Sequence, residues 1–245
     1  MAKGKAQKIR KAIVTGGSKG YGLGIAAALA QAGYHVWITG REAKALDRAA
    51  HQLGVTAIVA DVSSPKDWDQ VIGAVDATPG RFEVLVNNAG AGIKIGPAAA
   101  QSDAEIATAI AVNLTGAIYG CRRAAPLIVR DGGGTIVNIS SVCAHQAWAG
   151  WSVYSAAKAG LEQFSKCLYL EHREQKLRVT SVAPSWGATH FTESADLGSR
   201  AKDVRRQCIQ PEELGRIVAD ICALPSHLFM QEMILWPTIQ PVEPL

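Results

Sequence analysis

Short runs of β-branched and other apolar residues alternate with longer segments of helical periodicity along the chain. This alternation is typical of βαβ units, in which helices connect parallel strands. The pattern predicts strands at residues 12–15, 35–39, 55–59, 84–87, 135–140, 178–183 and 233–236. It predicts helices at residues 22–32, 43–53, 65–77, 103–130, 154–174 and 211–223.

Two of the predicted strands contain no polar position in their centres, Val84-Leu85-Val86 and Ile136-Val137. We therefore expect helices to cover both faces of the sheet. The predicted fold class is α/β, a single doubly wound domain with a parallel sheet of about seven strands.

Length and charge predict one domain with a basic tail. The 245 residues, 48% of them hydrophobic, suffice for one large core, which we assign to residues 11–245. The net charge of +4 comes largely from five cations near the start, Lys3, Lys5, Lys8, Arg10 and Lys11. We expect residues 1–10 to form a flexible, solvated tail that binds no nucleic acid. Residues 185–210 lack periodicity and are predicted to form a mobile flap beside the site.

Five widely spaced cysteines lack the close pairs of zinc sites or redox dithiols: Cys121, Cys143, Cys167, Cys208 and Cys222. We expect free thiols in a reducing compartment and no metal. The basic N-terminus is followed by no apolar run long enough for a leader. We also expect no stretch to approach the length needed to span a bilayer, which is about 20 apolar residues. The expectation is a cytoplasmic protein without a membrane partner.

A glycine-rich turn, Thr15-Gly16-Gly17-Ser18-Lys19-Gly20-Tyr21-Gly22, follows the first predicted strand and precedes an apolar helix. Glycines let the backbone turn tightly and approach a pyrophosphate, while the helix N-terminus offers N–H groups and a partial positive charge. The turn predicts dinucleotide binding through Gly16, Ser18, Lys19, Gly20, Tyr21 and Gly22.

The Thr-Gly-x-x-x-Gly-x-Gly spacing resembles that of the short-chain dehydrogenase/reductase family, and the resemblance extends over nearly the whole chain. Asp61-Val62, after the third predicted strand, matches the adenine-contacting pair of this Rossmann-type family. Asn87-Asn88-Ala89-Gly90, after the fourth, matches its strand-end motif beside the cofactor. The resemblance implies cofactor contacts for Asp61, Val62, Asn87, Ala89 and Gly90.

The end of the second predicted strand favours NADP(H) over NAD(H). NAD-binding relatives carry an acidic residue there, which accepts hydrogen bonds from the ribose hydroxyls. Gly40 occupies that position and Arg41 follows it. Arg41 and Lys19 can converge on a 2′-phosphate, which an arginine binds through two parallel hydrogen bonds. The alternative is a pair of solvated surface cations.

Tyr154 and Lys158 lie four residues apart, so both project from one face of a helix. A neighbouring ammonium stabilises a phenolate, so we expect Lys158 to lower the pKa of Tyr154 toward the range of acid–base catalysis. Such pairs also occur on ordinary amphipathic helices. The family resemblance adds Ser141 as a hydrogen-bond partner of the substrate oxygen and Asn113 as the anchor of a water chain. It also implies that Tyr154 and Lys158 contact the cofactor, Lys158 at the nicotinamide ribose.

The chain departs from the family after the sixth predicted strand, where Pro184-Ser185-Trp186 stands in place of Pro-Gly. The resemblance implies cofactor contacts for Pro184 and Thr189, although Ser185 adds a side chain where glycine leaves the backbone free. We assign substrate selection to Cys143, His145, Trp148, Trp151, Trp186, His190 and Phe191. This largely aromatic set predicts a pocket for a hydrophobic or ring-bearing ketone, whereas tryptophans also serve in cores and subunit contacts.

These features together predict an NADP(H)-dependent oxidoreductase that interconverts a ketone and a secondary alcohol, with Tyr154 as the acid–base residue. The resemblance implies a homodimer or homotetramer acting on a small molecule. One alternative is a dehydratase or epimerase that retains its nicotinamide, against which the chain length argues. A second is an NADP(H)-sensing module without turnover, against which the presence of both Tyr154 and Lys158 argues.

Overall fold

All seven strands of the central sheet run parallel. The computed structural model describes residues 9–92, 94–189, 191 and 205–240. Its strands are β1 Arg10–Thr15, β2 Tyr34–Gly40, β3 Thr56–Val59, β4 Arg81–Asn87, β5 Gly134–Ile139, β6 Leu177–Pro184 and β7 Glu232–Leu235. They lie in the order β3-β2-β1-β4-β5-β6-β7. The predicted doubly wound parallel sheet is confirmed.

Helices connect the strands on both faces. They are α1 Gly20–Gln31, α2 Ala43–Leu53, α3 Pro65–Ala77, α4 Asp103–Ile110, α5 Gly116–Arg130, α6 Ser152–His172 and α7 Pro211–Ala223. Local chemistry sets several of their ends. The Ser64 side chain accepts a hydrogen bond from the Asp67 backbone at the start of α3, and Ser102 forms a reciprocal capping pair with Glu105 at the start of α4.

The predicted helix at 103–130 is interrupted, which corrects the sequence-based expectation. A single π-helical turn, Ala111–Thr115, separates α4 from α5 and contains Asn113. Hydrophobic periodicity continues through such a turn, so the pattern of apolar residues does not reveal it.

The core has two layers, one on each side of the sheet. Ala12 and Val14 of β1 face the layer formed with α1, α2 and α7, whereas Ile13 between them faces the layer formed with α3, α5 and α6. Side chains of a strand alternate between faces, so a strand that is apolar throughout contributes to both layers.

The stretch Asp103–Arg130 is, within the described chain, the one segment whose length and hydropathy would suffice to cross a membrane. The expectation that no segment would be long and apolar enough is therefore wrong. Core packing accounts for about a third of this apolar stretch, of which 33% is buried. Within it, α5 buries Cys121, Ala124 and Ile128 completely in the layer under the sheet.

Two cations assigned to the solvated N-terminal cluster belong to the folded domain instead. Arg10 and Lys11 are the first residues of β1. Lys11 is 1% exposed, and its ammonium donates hydrogen bonds to the backbone oxygens of Val75 and Thr78 at the end of α3. These two carbonyl oxygens meet the hydrogen-bonding needs of the buried ammonium. Of the proposed tail, residues 1–8 lie outside the described chain.

The fold creates a crevice at the carboxyl ends of β1 and β4. The chain moves outward from β1 to β2 and β3, then returns to the other side of β1 to form β4. In doubly wound sheets, ligands bind at the position where the strand order reverses. The glycine-rich turn leaves β1 at this position.

Contact between α1 and α7 depends on glycine. A Cβ at Gly24 would lie 2.0 Å from the backbone oxygen of Pro211. We predict that Gly24→Ala lowers the free energy of unfolding by about 1–3 kcal/mol, because backbone must move to admit the methyl group. The measurement is urea unfolding followed by circular dichroism.

The matched control is Gly73→Ala in α3, where a Cβ would meet no atom of the described residues within 4 Å. This substitution should stabilise the protein by about 0.5–1 kcal/mol through helix propensity. Equal stabilities of the two variants would contradict the close helix contact.

Candidate active site

The glycine-rich turn brings its backbone close to the end of β4. Gly16 has φ = 66° and Gly20 has φ = 53°, conformations that favour glycine. A Cβ at Gly16 would lie 3.1 Å from the Ala89 Cα, and one at Gly22 would lie 2.1 Å from the Gly16 oxygen. Side chains at these positions would displace the turn from the switch point.

Asn88 locks this turn in place. Its side-chain amide donates to the Thr15 oxygen at 2.9 Å, and its backbone N–H donates to the Thr15 hydroxyl at 3.0 Å. The Ala89 N–H donates to the same hydroxyl at 2.9 Å. Asn88 therefore positions the turn, a role that the sequence analysis did not assign to it although it lies inside the Asn-Asn-Ala-Gly motif.

The residues around the turn fit a dinucleotide. Lys19 is the N-cap of α1 and, among the described residues, provides no side-chain hydrogen bond to cap the helix. Such an uncapped N-terminus suits a pyrophosphate. Within the described part of the chain, the buried Tyr21 hydroxyl has no hydrogen-bond partner and packs against Gly187, where a Cβ would lie 2.0 Å from it. An unpaired buried hydroxyl beside this turn is a group that a bound ligand can satisfy.

The structure places the two predicted phosphate-binding cations beside the same crevice. Lys19 and Arg41 are both exposed. The Gly17 N–H donates to the Thr39 oxygen at 3.1 Å, which holds the turn against the end of β2. A Cβ at Gly40 would lie 3.8 Å from the Ser18 hydroxyl, so Ser18 lies next to the residue before Arg41.

Asp61 and Val62, the predicted adenine-contacting pair, lie next to Thr39 and Trp68. The Thr39 hydroxyl is buried there and is unpaired within the described chain. One Asp61 oxygen accepts hydrogen bonds from the Ser63 backbone and hydroxyl at 2.8 and 2.7 Å. Asp61 thus shapes the turn after β3 in addition to its predicted contact.

Ser141, Tyr154 and Lys158 come together where β5 and α6 meet, and all three are at most 9% exposed. The Lys158 ammonium lies 5.7 Å from the Tyr154 ring centroid and donates to the Ile139 oxygen at 2.9 Å. The Ser141 hydroxyl accepts a hydrogen bond from the Cys143 backbone, which fixes its direction. The structure therefore assembles a hydroxyl, a phenol and an ammonium in one buried space.

Asn113 is held at the edge of this space by the π-helical turn. Its side-chain oxygen accepts from the Ala91 N–H at 3.1 Å, and its amide donates to the oxygens of Ala91 and Ala109. A Cβ at Gly90 would lie 2.9 Å from the Asn113 oxygen and 3.4 Å from the Lys158 ammonium. Gly90 thus keeps the strand-end backbone close to both side chains.

Electrostatics in the site differ from the sequence-based expectation. Burial raises the pKa of Tyr154, the nearby Cys143 raises it further, and only hydrogen bonding with Ser141 opposes the rise. Burial lowers the pKa of Lys158 to about 8, although Cys143 and Glu162 act in the opposite direction. Burial thus shifts both groups toward their neutral forms, although a pKa of about 8 leaves Lys158 mostly protonated at neutral pH. The expected lowering of the Tyr154 pKa by Lys158 is not found, because desolvation dominates.

Asn87 lies in a different place from the crevice. Its amide donates to Asn138 at 2.8 Å and to the Cys121 sulfur at 3.2 Å, in the layer between the sheet and α5. The strand alternates, so Asn87 points into the core while Asn88 points toward the glycine-rich turn. The cofactor contact that the resemblance implies for Asn87 would therefore come from its backbone and not from its side chain.

Aromatic rings form a wall beside Tyr154. Its ring lies 5.4 Å from that of Phe191 and 5.8 Å from that of Trp151, and Trp151 in turn contacts Trp148 and Phe191. Cys143 is buried next to the same phenol. Three members of the predicted substrate set, namely Cys143, Trp151 and Phe191, thus lie next to the predicted acid–base residue, and Trp148 contacts Trp151.

His145 contacts two carboxylates. Its Nε2 lies 3.1 Å from both Glu162 Oε2 and Glu232 Oε1. Its assignment to the substrate pocket stays a prediction. His190 lies outside the described residues.

The segment after β6 contacts the glycine-rich turn. Thr189 lies next to Gly20, where a Cβ would be 3.4 Å from the Thr189 side chain. The Ser185 hydroxyl, at the departure from Pro-Gly, donates to Gln240 Oε1 at 2.6 Å, and the Trp186 N–H donates to the same oxygen. Ser185 therefore ties this segment to the C-terminal region. Of the predicted flap, residue 190 and residues 192–204 lie outside the described chain.

The sequence model of the short chain dehydrogenase family matches residues 10–200 of this chain. A probable NADP-dependent dehydrogenase from Haemophilus influenzae is 32% identical over 243 residues, which are 95% of each chain. An NADP-dependent 3-hydroxy acid dehydrogenase from Shigella flexneri is 30% identical, over 93% of this chain and 95% of its own.

Among solved structures, the closed form of a serine dehydrogenase complexed with NADP+ superimposes with a TM-score of 0.88 and 29% sequence identity. The match covers 96% of this chain and 98% of that one. The similarity therefore extends over nearly the whole length of both chains.

Proposed function

The chain belongs to the short-chain dehydrogenase/reductase family, and from this premise we propose that it interconverts a ketone and a secondary alcohol with NADP(H) as cofactor. The observation that carries the proposal is the convergence of Ser141, Tyr154 and Lys158 in one buried space where β5 and α6 meet, with Lys158 next to Gly90 after β4. The relatives named NADP-dependent dehydrogenases support the cofactor.

Each side chain has a distinct role in the proposed reduction. Bound NADPH supplies a hydride to the carbonyl carbon. Tyr154 donates its phenolic proton to the carbonyl oxygen, and Ser141 hydrogen-bonds the same oxygen as negative charge develops on it. The products are the secondary alcohol and NADP+, so the protein gains and loses no electrons.

Lys158 stabilises the phenolate that remains on Tyr154. Its ammonium lies on the same face of α6 and is charged below a pKa of about 8. Asn113 and Lys158 both lie next to Gly90. We assign to Asn113 the route by which protons reach solvent. In this scheme Arg41 and Lys19 bind the 2′-phosphate and the N-terminus of α1 binds the pyrophosphate.

The aromatic wall supports a hydrophobic or ring-bearing ketone as substrate. Trp148, Trp151 and Phe191 offer flat apolar surfaces next to the Tyr154 phenol. The relative from Shigella flexneri is named for 3-hydroxy acids, which carry a carboxylate. A panel of test substrates should therefore contain both aryl ketones and 3-hydroxy acids.

We also place the enzyme in the cytoplasm as a homodimer or homotetramer. None of the five cysteines forms a disulfide, which suits a reducing compartment. Strand β7 forms one edge of the sheet and leaves Ile234 46% exposed, and Leu170 and Leu228 are also exposed. An uncovered edge with apolar side chains supports contact with a second copy.

Tyr154→Phe tests the acid–base role directly. The substitution removes one oxygen from a packed ring, so NADPH affinity measured by fluorescence should change less than twofold. Turnover of the preferred ketone, followed as loss of NADPH absorbance, should fall by at least about 100-fold because proton donation is lost.

Turnover near the wild-type rate in this variant would refute the assigned role. A wild-type protein that binds NADPH but reduces no member of the panel would favour the NADP(H)-sensing alternative.

Arg41→Ala tests the preference for NADP(H). Loss of a charge-assisted, two-pronged contact should weaken NADPH binding by roughly tenfold or more and leave NADH binding unchanged. The matched control is Arg48→Ala on the exposed face of α2, which should affect neither cofactor. Equal losses for NADPH and NADH would show that Arg41 does not read the 2′-phosphate.

A further inference from the structure

Glu162 is a buried carboxylate that the reaction described above does not use. Its side chain is 6% exposed, and it follows Lys158 by one turn of α6 on the same helix face. Glu162 Oε1 accepts a hydrogen bond from the Ser140 hydroxyl at 2.7 Å, and Oε2 lies 3.1 Å from His145 Nε2. Each carboxylate oxygen thus has its own partner.

The two partners stand at the ends of the segment that carries Ser141. Ser140 immediately precedes Ser141, and His145 follows the short helical turn Val142–Ala144. The Ser140 hydroxyl also lies 3.5 Å from the Lys158 backbone oxygen. Glu162 therefore grips residues 140–145 at both ends and joins them to the turn of α6 that bears Lys158.

A second carboxylate anchors this arrangement to β7. Glu232 Oε1 lies 3.1 Å from His145 Nε2, and Glu232 Oε2 lies 3.3 Å from the Lys166 ammonium, one turn beyond Glu162. The groups facing Glu162 are thus Ser140, His145, Glu232 and Lys166. Burying a carboxylate is costly unless it is paired, and these contacts supply the pairing.

The cluster also affects the protonation of the Lys158 ammonium. The Glu162 carboxylate raises the pKa of Lys158 and so opposes the effect of burial. Burial raises the pKa of Glu162 itself, and hydrogen bonding with Ser140 and the charge of His145 oppose that rise.

We propose that Glu162 is a positioning residue, which holds the Ser141 segment through Ser140 and His145 against the turn of α6 that carries Lys158. The proposal rests on the proposed reductase function. Glu162 touches neither substrate nor cofactor in this scheme. It acts through Ser141 and Lys158, which do.

Glu162→Gln tests this proposal because the amide keeps the shape and can still accept from Ser140 but carries no charge. We expect kcat for the preferred ketone to fall roughly tenfold, less than the about 100-fold that a 1 Å misplacement can cost. KM for the ketone and the dissociation constant of NADPH should stay within twofold. The alkaline limb of the kcat–pH profile should move to lower pH, because the Lys158 ammonium, faced by Tyr154, Cys143 and Glu162, loses a stabilising charge.

The matched control is Glu171→Gln, an exposed glutamate on the same helix, which should change none of these quantities. Ser140→Ala is a second variant, which removes the hydrogen bond between Ser140 and Glu162 without altering Glu162. In the double variant with Glu162→Gln, the loss of kcat should be smaller than the two single losses combined additively in free energy.

An unchanged kcat and pH profile in Glu162→Gln would overturn the proposal, as would a loss of thermal stability with normal kcat. If that variant does not fold, Ser140→Ala with unchanged kcat overturns it. A wild-type protein without turnover would instead refute the reductase function.

The ligand atoms of His145, Glu162 and Glu232 lie within 4.8 Å of one another, so calorimetry with Zn²⁺ tests whether this cluster binds a metal. Tight Zn²⁺ binding that Glu232→Gln abolishes would make the cluster a metal site and contradict the positioning role, and its absence supports it.

Discussion

The burial of the Lys158 ammonium beside the Tyr154 phenol is the constraint that shapes the active site. A buried cation needs oxygen partners, and Ile139 supplies a backbone oxygen at 2.9 Å while the Glu162 carboxylate contributes charge from one turn away. Gly90 leaves room for the ammonium at the strand end. The site thus favours a neutral phenol, which is the form that donates a proton in the reduction.

The cofactor side of the crevice depends on contacts between segments that are distant in sequence. Asn88 fixes the glycine-rich turn from the end of β4, and Thr189 approaches Gly20 from the segment after β6. Ser185 and Gln240 in turn tie that segment to the region after β7. The turn is therefore held from both sides before any ligand binds, which reduces the ordering cost of binding.

The sequence predicted most of the fold because strand and helix periodicities are local. The Tyr154–Lys158 spacing and the family resemblance predicted a site with Ser141, Tyr154 and Lys158, and the fold brings these three side chains together. Lys11 was assigned to the wrong environment because charge alone does not reveal that α3 supplies two carbonyl oxygens to it. His145 contacts Glu162 on a helix and Glu232 on an edge strand, so only the assembled sheet reveals that this histidine lies between two carboxylates.

The titration of the Tyr154 phenol, followed by NMR of tyrosine labelled at the ζ-carbon and assigned with Tyr154→Phe, tests the central claim most directly. In the free protein, burial keeps the phenol protonated to high pH. The account predicts that NADP+ lowers the pH of this titration, because the positively charged nicotinamide and the Lys158 ammonium together stabilise the phenolate. A phenol that titrates at the same pH with and without NADP+ would contradict the acid–base role of Tyr154.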